Sequence, residues 1–112
     1  MSLKKVKLPS IVSVGAFDVE LVLLDHEISY EVCEQQGSFV PKPPYKIYLD
    51  EDIINEGGKD AVNLVVHELL HVGYFQYSLK DKDEEAIVNS FSNFMTELLT
   101  RSQLRKWIKD NA

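Results

Sequence analysis

The chain reads as an α+β domain with strands first and helices after, and three observations carry that reading. Up to about residue 50 apolar residues alternate with a period of two, and beyond about residue 58 they recur at helical spacing. Between the halves stands Gly57-Gly58, a strong break. The expected architecture is a small antiparallel sheet of about three strands followed by two or three helices, as one domain over residues 1–112.

Phe17, Val19, Leu21 and Leu23 alternate with Asp18, Glu20 and Val22, which predicts the first strand. Ile28, Tyr30 and Val32 alternate with Ser29, Glu31 and Cys33 and predict a second, with Asp25-His26-Glu27 as the turn between. Pro41, Pro43 and Pro44 make Gly37 to Pro44 a loop or a ragged edge. Tyr45-Lys46-Ile47-Tyr48-Leu49 alternates again and predicts the third strand. Asp60 is the expected N-cap of a helix running to about Leu79, with apolar Val62, Val65, Val66, Leu69, Leu70 and Val72. After Lys80-Asp81-Lys82-Asp83, a second helix carries Ile87, Phe91, Phe94, Met95 and Leu98 on one face. A short third, capped by Ser102, carries Leu104, Trp107 and Ile108.

At 112 residues and 45% apolar composition, the chain can bury a core without a disulfide or a metal. Its net charge of −6, from 12 basic and 18 acidic residues, argues against a nucleic-acid partner, which needs a basic face. Lys4, Lys5 and Lys7 read as a solvated tail. Cys33 is the single cysteine, so no internal disulfide can form, and a reducing, cytoplasmic setting is the simpler expectation. Ile11-Val12-Ser13-Val14 is too short and interrupted for a signal peptide, and no stretch has the length of a membrane span.

The chemistry sits in His67-Glu68-Leu69-Leu70-His71. Residues four apart share a helix face, so both imidazoles can reach one metal ion, and neutral imidazole suits Zn²⁺. Glu68 flanks the ion instead of binding it, where it can act as general base on a water that the metal acidifies. A catalytic zinc needs one more protein ligand. The third-histidine spacing of metzincins falls on Tyr77, which excludes that class. The next helix offers Glu84 and Glu85. Asp81 and Glu84 have capping-box spacing, and Glu85 has Asn89 one turn on, where its amide could orient a ligand histidine. Glu85 is therefore preferred, although helical extrapolation brings Glu84 nearer the apolar face. For Glu85, the plain alternative is a favourable acidic residue in a helix's first turn.

His67-Glu68-Leu69-Leu70-His71 followed by Glu85-Ala86-Ile87-Val88-Asn89 resembles the gluzincin arrangement, with its third ligand in a Glu-x-x-x-Asp/Asn motif. More narrowly, it is similar to ImmA/IrrE-type metallopeptidases and to small zincin-like proteins of phages and prophages, in which a strand like Tyr45–Asp50 precedes the motif helix. The similarity covers roughly residues 44 to 108. It implies a minimal zincin fold, zinc held by His67, His71 and Glu85, Glu68 as catalytic base, and hydrolysis of peptide bonds. The chain departs from the regulatory members in having no recognisable DNA-binding or sensor segment. A peptide or protein substrate is expected along strand 45–49, pairing with an exposed sheet edge.

Other readings fit less well. The three-histidine motif of YbeY-type endoribonucleases needs histidine where Tyr77 stands and usually glycine in place of Glu68. A deformylase would use Cys33, but Glu34-Gln35-Gln36 does not match that family's cysteine motif, and a buried thiol is the simpler fate. Tyr74, Tyr77 and His26 are available to stabilise an oxyanion, yet their spacing assigns them no catalytic role. The serious rival is a non-catalytic protein that keeps a zincin fold for binding or structure.

Overall fold

The computed structural model describes residues 7–14, 17–33, 37–80, 82–101 and 103–111, with the side chains of 30–33 outside that description. In chain order come β1 (Ile11–Val14), β2 (Phe17–Leu24), α1 (His26–Cys33), β3 (Gly37–Val40), β4 (Lys46–Asp50), α2 (Glu51–Glu56), α3 (Gly58–Gln76), α4 (Glu84–Arg101) and α5 (Leu104–Asn111). The α+β class stands, with a four-stranded mixed sheet in the order β1-β2-β4-β3. β1 and β2 pair antiparallel, β2 and β4 parallel, and β3 and β4 antiparallel.

Alternation sets the buried face of the sheet. Val12, Val14, Val19, Leu21, Ile47 and Leu49 turn inward to meet Ala61, Leu64, Val65, Leu69 and Val72 of α3. Phe94 and Leu98 of α4, with Leu104 and Trp107 of α5, close the same core. Gly73 permits α3 and α4 to approach closely: a Cβ there would lie 3.1 Å from the Phe94 ring and 3.2 Å from that of Phe91.

Several expected elements differ. Residues 28–33, expected as a strand, belong to α1, because Asp25 is a helix cap: its carboxylate accepts the Glu27 N–H at 3.0 Å. The sheet is not purely antiparallel: α1 and β3 intervene between β2 and β4 in the chain, and β4 runs parallel to β2. Ile11–Val14, too short for a signal peptide and not singled out as a strand, is β1, and Gly37–Val40, expected as a loop or ragged edge, is the edge strand β3.

The strand over 45–49, expected to receive substrate, has both edges occupied, by β2 and β3. Its backbone groups are committed to those ladders, so β4 cannot pair with a peptide.

The Asp50 carboxylate accepts the Asp52 N–H at 2.9 Å and starts α2, a helix not expected from the sequence. Gly57, with φ 71°, ends α2 and occupies the N-cap position of α3, so Asp60 lies in the first turn instead of capping it. The Gly58 N–H reaches Asn111 Oδ1 at 3.4 Å, which ties α5 to the start of α3. At α4, Asp83 performs the capping: its Oδ1 accepts the Ala86 N–H at 2.8 Å. The expected caps Asp81 and Ser102 lie outside the described residues. Among the described residues, no helix is long and apolar enough to cross a membrane.

Candidate metal centre

The long helix α3 packs one face into the core through Leu64, Val65, Leu69 and Val72, and this sets the direction of its opposite edge. His67 and His71, one turn apart, emerge at that edge and are both exposed. Their rings stand 5.0 Å apart between centroids and nearly perpendicular, at 80°. Glu68 lies between them and is only 4% exposed. One ligand atom from each of His67, Glu68 and His71 falls within 4.8 Å of the others. The expected pair of imidazoles and their flanking carboxylate are thus brought together.

Glu68 is the unusual member. Its Oε1 comes no closer than 4.0 Å to His67 Nε2, which is an electrostatic approach beyond hydrogen-bond range. It makes no hydrogen bond among the described residues. Glu68 lines the cavities beside the histidines, so water can reach its carboxylate, and with no protein hydrogen bond among the described residues the group is open to a cation or a proton there. Burial pushes its carboxyl above the ordinary carboxylate value, opposed by His71 and then His67 when those rings are charged. Two imidazoles converging beside such a carboxylate form a donor set that fits Zn²⁺.

The edge strand β3 lies directly against this group. Gly37 is buried, and a Cβ on it would stand 3.0 Å from both Glu68 Cγ and Leu64 Cδ1. Two cavities open beside the histidines. One of about 490 Å³ is walled by Gly37, Glu56, Asp60, Leu64, His67 and Glu68, among others. The other, of about 330 Å³, is lined by Ser38, Phe39, Pro41, Glu68, His71 and Phe75. Phe39 and Phe75 belong to a ring cluster with Phe17 and Tyr45, with centroid separations of 4.5–6.4 Å.

The expected third ligand is not part of the cluster. Glu85 and Glu84 are exposed in the first turn of α4, and neither carboxylate joins His67, Glu68 and His71 within 4.8 Å. Asn89 is exposed on α4 and makes no hydrogen bond to either histidine among the described residues. Tyr74 and Tyr77 line neither cavity, and burial, then Glu97, raises the Tyr77 hydroxyl above its ordinary value.

Sequence reasoning missed Gly37, Phe39 and Phe75. The usable signal was a glycine opening a short run before the proline-rich stretch, the pattern of an edge strand touching a helix. His26 was expected in a turn and instead begins α1, its Nδ1 2.7 Å from Asp50 Oδ2. Asp52 completes a second group of possible metal ligands there. Both oxygens of the fully buried Asp50 are already engaged, Oδ1 with the Asp52 N–H and Oδ2 with His26, so the packing of α1 against β4 and α2 accounts for this group.

Fold and site together define an α+β domain presenting a His-Glu-His cluster beside a sheet edge. Compared with known proteins, the chain matches no family model, no curated protein and no solved structure.

Proposed function

We propose that this chain is a zinc-dependent metallopeptidase of the minimal gluzincin type, with His67 and His71 as protein ligands, Glu68 as general base, and Glu85, which lies outside the His67-Glu68-His71 cluster, as the third ligand that the resemblance implies. The observation that carries the proposal is Glu68 itself, buried and without a hydrogen bond between two exposed imidazoles. When bound, zinc acidifies water toward a pKa of about 7 and polarises a substrate carbonyl. Glu68 takes a proton from the attacking water and delivers it to the departing amine. The outer edge of β3 offers backbone groups to an extended substrate, the role first assigned to strand 45–49. The lone Cys33 makes a cytoplasmic location part of the same proposal.

Elemental analysis of protein purified without chelators tests this directly. About one zinc per chain is expected for the wild type and for Glu84→Ala, with clear loss in Glu85→Ala. Glu68→Gln is expected to keep its zinc and lose turnover by about 10²–10⁴-fold. No metal in the wild type after zinc is added back refutes the metal centre. One observation favours a second reading: no third protein ligand joins the cluster within 4.8 Å among the described residues. On that reading the chain is a non-catalytic binding or structural protein, and Glu68→Gln leaves its function unchanged.

A further inference from the structure

Glu68 lines two cavities, one beside each histidine, the first with acidic and the second with aromatic residues in its wall. Beside His67 the wall carries Glu56, the last residue of α2, and Asp60, in the first turn of α3, while no Lys or Arg among the described residues lines that cavity. Beside His71 the wall is Phe39, Pro41 and Phe75, and Phe75 is 39% exposed at the mouth of its ring cluster. Glu68, 4% exposed and without a hydrogen bond among the described residues, lines both. β3 links them, running from Gly37 in the acidic wall to Phe39 in the aromatic wall.

We propose that the site selects extended peptides with an aromatic residue on the amino side of the scissile bond and a basic residue on the carboxyl side. Phe39 and Phe75 receive the first, and Glu56 and Asp60 the second. This rests on the metallopeptidase reading and adds its substrate class.

The sides follow from pairing. The outer edge of β3 is unpaired by any described strand, and an antiparallel ladder is the more stable partner geometry. A peptide running opposite to β3 meets Phe39 first and Gly37 last. Its amino-side residues therefore pass the aromatic cavity and its carboxyl-side residues the acidic one. Successive side chains of an extended peptide point to opposite faces, so neighbouring residues can enter different cavities. An ammonium or guanidinium group complements the two wall carboxylates, and an aromatic ring fills a cavity already lined by rings.

The test is cleavage of an equimolar decapeptide library by the zinc-loaded full chain, with cut sites read by mass spectrometry. Phe, Tyr or Trp on the amino side and Lys or Arg on the carboxyl side are each expected to be favoured about tenfold in kcat/KM over alanine. Asp60→Lys, a surface change, is expected to turn the Lys preference toward Glu and leave the aromatic preference in place. Phe75→Ala, checked for folding by circular dichroism, is expected to do the converse. Cleavage without either preference overturns the substrate class and leaves the metallopeptidase reading standing. A preference with basic residues on the amino side overturns the assignment of sides. No cleavage of any member by zinc-loaded protein overturns both proposals.

Discussion

Replacing Gly37 with alanine isolates the contact between the edge strand and the buried carboxylate. The new Cβ would lie 3.0 Å from Glu68 Cγ, 3.0 Å from Leu64 Cδ1 and 3.2 Å from Glu68 Cδ. Carbon contacts are comfortable at about 3.5–4.0 Å, so something must yield. Overpacking of this kind costs about 1–3 kcal/mol. Against it stands a gain of about 0.4–1 kcal/mol from restricting the unfolded chain, because the backbone here is an ordinary strand that alanine adopts. The net loss is roughly 0–2.5 kcal/mol, a fall in Tm of about 4 °C for each kcal/mol. Leu64 is held by the core, whereas no hydrogen bond holds Glu68, so the carboxylate is the group that moves. The neighbour must give by a few tenths of an ångström, and since a base displaced by about 1 Å loses about 10²-fold in rate, a loss of roughly 3–10-fold follows. On the proposed function the variant keeps its zinc, melts lower and turns over more slowly by that factor. Gly73→Ala is the comparison: its Cβ would meet Phe94 at 3.1 Å, away from the metal cluster, so stability should fall while the rate holds. Equal turnover by Gly37→Ala and wild type, or loss of zinc along with rate, would show that β3 does not position the base as argued.

His26 gives a pH signature separate from the metal cluster. Its hydrogen bond to Asp50 raises its pKa above the ordinary value of 6.5, burial opposes the shift, and the nearby charges of Asp50, Asp52 and Asp25 add to it. A histidine with a raised folded-state pKa stabilises fully below the unfolded value, and that stabilisation disappears as pH rises through the folded value. Thermal melts from about pH 5 to 9 should show this loss, and His26→Gln should flatten it; parallel profiles would remove His26 as the cause. Asp83→Ala removes the side-chain cap that accepts the Ala86 N–H, and denaturant unfolding should report a loss of about 1 kcal/mol. An unchanged midpoint would mean that the start of α4 does not depend on that bond.

The helical half of the chain was legible because its signals are local. His67, Glu68 and His71 share one edge of α3 whatever surrounds it, since helical spacing alone brings positions 67 and 71 together. Gly57-Gly58 marked a real boundary because a positive φ, 71° and 75° here, is a property of the residue as much as of the fold. Alternation from Phe17 to Leu24 found β2 and its inward residues, Val19 and Leu21.

The same alternation misled at Ile28–Cys33, where Asp25, as a cap, outweighed a period-two pattern of only six residues. Apart from nearby prolines, as after Gly37–Val40, little that is local distinguishes a central strand from an edge strand, because that depends on which segments pair across the sheet. Tyr45–Leu49 therefore drew the substrate role, although both its edges are paired and the open edges of the described sheet belong to β1 and β3. The opposed cavities beside the histidines unite Glu56 and Asp60 with Gly37, and Phe39 with Phe75, residues from separate elements. The burial of Glu68 likewise required β3 to close over α3 at a residue without a side chain. Local residues could place the pair of histidines, and only long-range packing could decide what surrounds it.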